Sequence, residues 1–248
     1  VASDLHGQAE KFESVVEQLG VDSHWVINGD ILDRGDKTKE LLDSFLQIEN
    51  LELLTGNHEW SYLGGLTSLD PSFRSAWQEK LFSPVKRNRI EMNVLHSYEV
   101  SRHYDPEGTA KAIKEKMQEL GHLGLLQSSQ VYYEDDDIFV IHAGLKSEMP
   151  MRQIYHQLDA LQAKHNAHTY DNEPDELFSF RLARDYSTPR DLGKLLITGH
   201  THLDEPSEKR LYTPKGSTQP TRAFLASYLD KGAPLFVYDC QEKIVRVF

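Results

Sequence analysis

Residues 25–35 read WVINGDILDRG, an apolar run that stops at Gly29 and Asp30. Four further apolar runs end in polar clusters of the same kind. They are Val1 to Ser3 before Asp4, Leu51 to Leu54 before Gly56 and Asn57, Ile138 to Ile141 before His142, and Leu195 to Ile197 before Gly199 and His200. Short apolar runs flanked by glycine are typical of buried strands. The pattern therefore predicts five strands, each followed by polar side chains.

Two stretches of helical period separate the first three predicted strands. Apolar residues recur at Phe12, Val15, Val16 and Leu19, and again at Leu41, Leu42, Phe45 and Leu46. Alternating strands and helices predict an α/β fold with a parallel sheet. Because parallel strands end at the same edge of a sheet, we expect the five polar clusters to meet there, where open α/β folds bind their ligands.

The alternation stops in the middle of the chain. Residues 60–130 carry helical periods such as Ala112, Ile113, Met117 and Leu120, which predict a helical insertion over the site. We expect this insertion to govern substrate choice more than chemistry. After His202 the apolar residues alternate with period two, which predicts antiparallel strands completing a second sheet. A chain of 248 residues fits one domain, residues 1–248, with the insertion inside it.

Composition excludes several classes of protein. The net charge of −12 opposes a broad contact with nucleic acid, so we expect no nucleic-acid partner. No apolar stretch is long enough to span a membrane, and we expect no membrane partner. The single cysteine, Cys240, suits a reducing compartment, so we expect a cytoplasmic protein. The first strand begins almost at Val1, so we expect a few residues to precede it, and the presence of a signal peptide stays open.

Two other patterns carry no chemistry in this interpretation. Cys240 and Arg246 have the spacing of a cysteine phosphatase loop, but the residues between them are too large and charged to cradle a phosphate. His156, His165 and His168 accompany polar residues such as Lys164, which predicts a solvated helical face. Neither group is expected to be a catalytic or metal site.

The strand-end clusters do supply a set of metal donors. They contain oxygen and nitrogen donors and no cysteine, a combination that suits Mn, Fe or Zn. The candidate ligands are Asp4, His6, Asp30, Asn57, His142, His200 and His202. Asp4 and His6 are separated by one residue, so on extended backbone both project to the same face. Asp30 occupies the middle of the set and is the natural bridge between two ions.

Five motifs in order resemble those of the calcineurin-like metallophosphoesterases, and most closely the phosphoprotein phosphatase branch. They are Asp4-Leu5-His6-Gly7, Gly29-Asp30-x-x-Asp33-Arg34-Gly35, Gly56-Asn57-His58-Glu59, His142-Ala143-Gly144 and Gly199-His200-Thr201-His202. The resemblance implies a β-sandwich of mixed, largely parallel sheets flanked by helices. It also implies two divalent metal ions, with manganese expected ahead of iron or zinc.

The resemblance also implies a role for each matching position. Asp4 and His6 would hold the first metal, Asp30 would bridge, and Asn57, His142 and His200 would hold the second. His58 would be the general acid, oriented by Asp33, and Arg34 would hold the phosphate oxygens. A second phosphate-holding arginine is expected at Arg181, with Arg184 as the alternative. His202 departs from the protein phosphatases, which usually lack it, whereas the wider superfamily places a histidine there on the first metal.

Three functions remain open at this stage. The first is hydrolysis of phosphoserine, phosphothreonine or phosphotyrosine in proteins, by attack of a hydroxide that bridges the metals. The second is hydrolysis of dinucleoside polyphosphates such as diadenosine tetraphosphate, because enzymes of that kind share the motifs. The third is a metal-bound scaffold without turnover, against which His58, Asp33 and Arg34 count. The expected partner is a phosphorylated protein or small phosphoester, and the sequence predicts no oligomeric state.

Overall fold

The computed structural model describes residues 1–83, 89–103, 105–145, 149–170, 192–201, 210–214 and 217–248, and only the backbone of residues 89–92 and 230. Its strands are β1 (Trp25–Asn28), β2 (Leu51–Leu54), β3 (Tyr132–Glu134), β4 (Ile138–Ile141), β5 (Leu195–Thr198), β6 (Leu211–Tyr212), β7 (Arg222–Phe224), β8 (Phe236–Asp239) and β9 (Ile244–Val247). Its α-helices are α1 (Ala9–Leu19), α2 (Thr38–Phe45), α3 (Asn57–Thr67), α4 (Pro71–Phe82), α5 (Arg89–Ser97), α6 (Pro106–Glu119), α7 (His122–Gln127) and α8 (Met151–Asn166). Within these ranges no helix has the length and hydropathy needed to cross a bilayer.

The first sheet is built around the parallel pair β1 and β2, in which Trp25 faces Leu51. The predicted first strand is shorter than expected, because only Ala2 forms a parallel bridge, to Ile27. On the other side of this segment, Val1 exchanges backbone hydrogen bonds of 2.8 and 2.9 Å with Tyr238 of β8. The antiparallel hairpin β8–β9 therefore extends this first sheet.

The second sheet has the order β3-β4-β5-β7-β6. Strands β4, β5 and β7 are parallel, whereas β3 and β6 pair antiparallel at the two edges. Of these strands, the period-two pattern after His202 located β7, and it also located β8 and β9. The expectation that they are antiparallel and complete a second sheet was wrong in part, because β7 runs parallel to β5 and the antiparallel pair β8–β9 extends the first sheet. Alternation of apolar and polar residues indicates that the two faces of a strand differ, but it does not indicate whether the strand runs parallel or antiparallel to its neighbour.

The two sheets pack face to face around an apolar layer. Val26 and Leu54 from the first sheet meet Val140, Ile197 and Ala223 from the second, and all five are buried. Alternate residues point outward to helices, because successive side chains of a strand lie on opposite faces. The Phe12 ring of α1 lies edge-on to Trp25 and to Phe45 of α2, with centroids 5.4 and 5.1 Å apart. The predicted sandwich with flanking helices is confirmed.

Helices α3 to α7 occupy the region between β2 and β3, where the sequence predicts a helical insertion. Helix α3 packs closely on α4 because Gly64 offers no side chain there. A Cβ atom at Gly64 would lie 2.6 Å from Cδ1 of Trp77, whereas one at Gly65 would meet nothing nearer than Leu81 Cδ1 at 3.4 Å. The insertion thus begins at the site itself, since α3 starts with Asn57 and His58.

The prediction of a solvated histidine face on α8 is wrong for His165, which is fully buried. Its ring stacks on Trp60 at 6.1 Å, and its nitrogens lie 3.3 Å from Ser129 Oγ and 3.2 Å from Tyr170 Oη. Burial, assisted by His168, lowers the pKa of His165 to about 4. The prediction considered the polar residues near His165 and overlooked the apolar stripe of Ile154, Leu158 and Leu161. This stripe buries one face of α8, and His165 lies on that face.

Candidate metal centre and active site

The predicted donors converge at the carboxyl ends of the strands. The Nε2 atom of His142 lies 3.2 Å from Oδ1 of Asp30, and Nε2 of His6 lies 3.8 Å from Oδ2 of the same carboxylate. His200 donates from Nδ1 to Oδ1 of Asn57 at 2.9 Å. Asp30 is therefore shared between donors that come from both sheets.

Positive backbone φ angles mark the loops that carry these donors. Among the described residues, nine non-glycine residues have positive φ, and six of them belong to the predicted site: Asp4, His6, Asp30, Asp33, Arg34 and His200. Left-handed backbone is disfavoured for residues with a Cβ atom and persists only where the surroundings enforce it. The chain therefore turns sharply at Asp4 and His6, after β1 and after β5, and these turns direct the donor side chains into the centre.

Two histidines are oriented by hydrogen bonds to backbone carbonyls. His6 donates from Nδ1 to Leu32 O at 2.9 Å, and His142 donates from Nδ1 to Asn28 O at 2.8 Å. Each bond fixes the tautomer and leaves Nε2 toward Asp30. This arrangement is typical of metal-ligating imidazoles, whose other nitrogen is held by a carbonyl or carboxylate.

The electrostatics of the centre favour positive charge. Burial raises the pKa of Asp4 to about 6. Burial disfavours ionised Asp30, but the neighbouring His142 and His58 hold its pKa well below the usual range. Burial also opposes a charged His142, yet the Asp30 charge and hydrogen bond raise its pKa to about 9. Buried carboxylates that draw protons onto neighbouring histidines make a place suited to cations.

The residues present fit divalent metal ions. Oδ1 of buried Asp4 has no hydrogen-bond partner among the described residues, although Oδ2 accepts from Ser3 Oγ and from His200 N. Two groups of donor atoms, each within 4.8 Å of one another, share Asp30: His6 with Asp30 and His58, and Asp30 with His142 and His200. A shared carboxylate between two such groups is the arrangement that a two-ion centre requires.

His58, the third member of the first donor group, is held by Asp33 through its other ring nitrogen. Its Nδ1 donates to Asp33 Oδ2 at 2.5 Å, and its Nε2 lies 3.8 Å from Asp30 Oδ2. Burial disfavours the imidazolium, but the charges of Asp30 and Asp33 and the Asp33 hydrogen bond raise the pKa of His58 to about 10. The side chain can therefore carry a proton, with Nε2 directed to the centre.

Glu59 holds the site loops together, a role that sequence reasoning missed. Its buried carboxylate accepts four backbone N–H groups at 2.8–3.0 Å, from Asp30, Ile31, Leu32 and Gly56. Burial and the Asp30 charge raise the pKa of Glu59, whereas these N–H groups favour its ionised form. The signal was present: glutamate three residues after Gly56 is the glutamate of a capping box at the start of α3.

The proposed phosphate-holding residues are only partly described. Arg34 lies in the same loop as Asp33, and its charge contributes to lowering the pKa of His6, after burial as the main cause. The carbonyl of Arg34 accepts a 2.5 Å hydrogen bond from Nδ2 of Asn93 on α5. Arg181, its alternative Arg184, and His202 lie outside the described residues.

The described residues around Cys240 form no phosphate cradle. It lies in the β8–β9 hairpin, where Arg246 donates from Nη2 and Nε to Asp239 at 2.8 Å. Cys240 is exposed, and desolvation by the surrounding chain together with nearby acidic side chains raises the pKa of its thiol, which disfavours the nucleophilic thiolate. This geometry supports the interpretation that the cysteine–arginine spacing is a coincidence.

The fold and the donor set are those of a metallophosphoesterase. The family model of the calcineurin-like phosphoesterases matches residues 1–204, and the chain belongs to this family. Membership supports a hydrolase, and members of the family typically use divalent metal ions. No curated protein matched the chain.

Solved structures share the fold at low sequence identity. A cold-active protein-tyrosine phosphatase of Shewanella sp. is 18% identical, with a TM-score of 0.59 over 99% of this chain and 78% of that one. Another structure of a cold-active protein tyrosine phosphatase is 17% identical, with a TM-score of 0.59 over 99% and 77%. A putative diadenosine tetraphosphatase is 12% identical, with a TM-score of 0.55 over 100% and 90%. At these identities the likeness shows the fold alone.

Proposed function

We propose that this protein is a metal-dependent phosphomonoesterase that removes phosphate from phosphoserine, phosphothreonine or phosphotyrosine in proteins. The observation that carries the proposal is the Asp33–His58 pair, whose Nε2 lies 3.8 Å from the central carboxylate of Asp30. An alkoxide leaving group needs a proton as it departs, and a histidine held by a carboxylate can supply it. A scaffold without turnover has no use for such a pair.

The roles of the remaining residues follow the donor geometry and the resemblance. Asp4, His6 and, by the resemblance, His202 would hold one ion, Asn57, His142 and His200 would hold the other, and Asp30 would be shared by both. Divalent cations in this centre, with manganese proposed first, would activate water and neutralise phosphoryl oxygens. Arg34 and Arg181 bind the phosphoryl oxygens with forked hydrogen bonds. Nδ1 of His58 is engaged by Asp33, so Nε2 is the atom that protonates the leaving oxygen.

The second candidate is a dinucleoside polyphosphate hydrolase, supported by the shared fold of the putative diadenosine tetraphosphatase. Its leaving group would be a phosphate, which departs with less help from an acid than an alkoxide does. The Asp33–His58 pair therefore favours the monoesterase.

Substrate preference separates the two candidates. We would measure kcat/KM with manganese for phosphoserine and phosphotyrosine peptides, p-nitrophenyl phosphate, a p-nitrophenyl diester and diadenosine tetraphosphate. The proposal predicts the highest values for a phosphopeptide. A strong preference for diadenosine tetraphosphate would replace it with the second candidate, and full activity after exhaustive chelation would refute the metal-dependent mechanism.

A further inference from the structure

Tyr62 is the third member of the Asp33–His58 hydrogen-bonded pair. It is fully buried on α3, and its hydroxyl donates to Asp33 Oδ1 at 2.9 Å. The other oxygen of the same carboxylate, Oδ2, accepts from His58 Nδ1. His58 and Tyr62 are four residues apart, so they lie on the same face of the helix. One helix thus engages both oxygens of Asp33.

The ring of Tyr62 is itself held in place. It lies edge-on to Phe82 of α4, with centroids 5.9 Å apart and an interplanar angle of 77°. The close packing of α3 on α4 at Gly64 and Trp77 keeps Phe82 near it. The hydroxyl therefore reaches Asp33 from a rigid element, which is how precise sites are supported.

Asp33 needs this support more than an ordinary aspartate does. Its backbone φ is +69°, in the left-handed region, and it lies in a loop between β1 and α2. A carboxylate bonded only to His58 could rotate and offer either oxygen in several geometries. Two donors on opposite oxygens fix the plane of the carboxylate and hence the imidazole that it orients.

We propose that Tyr62 is a positioning residue for proton donation, acting on His58 through Asp33. This inference rests on the proposed function, because it assumes that His58 protonates the leaving group. Removing the hydroxyl would leave the proton and the metal donors in place but loosen the direction of Nε2. Poor leaving groups, which depend on the acid, would suffer, whereas p-nitrophenolate would depart nearly as before.

The test is Tyr62→Phe, which keeps the ring and removes one hydroxyl. Tyr98→Phe is the matched control, because Tyr98 is also buried and bonds a histidine, His122, that contacts Asp43 outside the site. With manganese present, Tyr62→Phe is expected to lower kcat on a phosphoserine peptide by about 10-fold, part of the usual contribution of a general acid, and kcat on p-nitrophenyl phosphate by less than about 2-fold. KM and metal content should stay unchanged. Tyr98→Phe should alter neither kcat.

His58→Ala, measured in parallel, separates failure of the inference from failure of the proposed function. If His58→Ala slows the phosphoserine peptide far more than p-nitrophenyl phosphate while Tyr62→Phe shows no such difference, the inference is overturned and the acid stands. If His58→Ala slows both substrates equally, His58 is not the acid and the inference falls with that assignment, whereas the proposed function is decided separately by the substrate panel. Equal losses on both substrates for Tyr62→Phe would reduce Tyr62 to a structural residue.

Discussion

At the scale of single residues, the same positions carry the donors and the backbone strain. Asp4, His6, Asp30 and His200 all adopt positive φ angles. Each such residue costs on the order of 1–3 kcal/mol, which hydrogen bonds from the surrounding loops must offset. Three of the four backbone N–H groups bonded to Glu59 belong to the loop of Asp30, so one buried carboxylate stabilises that strained turn.

Buried His165 gives a pH dependence of stability that an exposed histidine would not. Its pKa is about 4 in the folded chain, against 6.5 when unperturbed. Above pH 6.5 His165 is neutral in both the folded and the unfolded chain. As the pH falls below 6.5, His165 is protonated first in the unfolded chain. The free energy of unfolding should therefore fall as pH drops from about 6.5 to about 4, by on the order of 3 kcal/mol from this group alone.

Urea denaturation of His165→Gln between pH 4 and pH 7 tests this. Between pH 4 and pH 7 the free energy of unfolding of the variant should depend less steeply on pH than that of the wild type, whatever the stability of the variant at neutral pH. His156→Gln is the control, because His156 lies exposed on the same helix and should leave the slope unchanged. Identical slopes in all three proteins would show that His165 is not held neutral by the fold.

At the scale of elements, the packing of α3 on α4 requires a glycine at position 64 more than at position 65, because Gly64 lies closer to α4. Alanine at Gly64 would place a Cβ atom 2.6 Å from Trp77, whereas alanine at Gly65 meets a flexible leucine end at 3.4 Å. Removing a helical glycine gains roughly 1 kcal/mol in propensity, and overpacking costs about 1–3 kcal/mol. We expect Gly65→Ala to stabilise the protein and Gly64→Ala to destabilise it, as measured by urea denaturation. The reverse order would contradict this packing.

Helix α5 forms a hydrogen bond with the loop that carries Arg34. Asn93 donates to the Arg34 carbonyl, and Ser97, one turn further, accepts from Lys39 N at 2.7 Å. The expectation that the helical insertion governs substrate choice more than chemistry stays a prediction, and these hydrogen bonds give the insertion a further structural role. It binds the middle of the β1–α2 loop at Arg34, the arginine proposed to bind phosphate, and the first turn of α2 at Lys39.

Asn93→Ala should therefore weaken phosphate binding by Arg34 and leave proton donation by His58 unchanged. We expect kcat/KM to fall by about 10-fold for phosphopeptides and for p-nitrophenyl phosphate alike, because both present the same phosphoryl group. His96→Ala, at an exposed position of the same helix, is the control. A loss confined to the phosphopeptides would instead assign α5 to substrate choice.

At the scale of the whole molecule, the sequence predicted the parts that obey local rules. Strand ends at Asp30, His142 and His200 were predictable because a buried run followed by glycine is a local signal. Tyr62 and Asn93 were not, because their roles depend on how α3 and α5 pack against a loop far away in sequence. His165 was mistaken for an exposed residue for the same reason, since its contacts come from Trp60, Ser129 and Tyr170.

The donor set spans both sheets, so metal binding should stabilise the whole sandwich. Asp4, His6 and Asp30 follow strand segments of the first sheet, and His142 and His200 follow strands of the second. Ions shared among them would link the sheets at one edge. Ligand that binds only the folded state adds about 2.7 kcal/mol at 100 times its dissociation constant.

We therefore expect manganese at that concentration to raise Tm by about 5–10 °C over chelated protein, measured by calorimetry with metal analysis of the same samples. Asp30→Asn should lose both metal equivalents together and most of this shift, because its carboxylate is common to the two donor groups. Asp43 is an acidic residue outside the site, so Asp43→Asn should keep both metal equivalents and the rise in Tm. Protein that retains two equivalents of metal with no rise in Tm would show that the ions do not join the sheets.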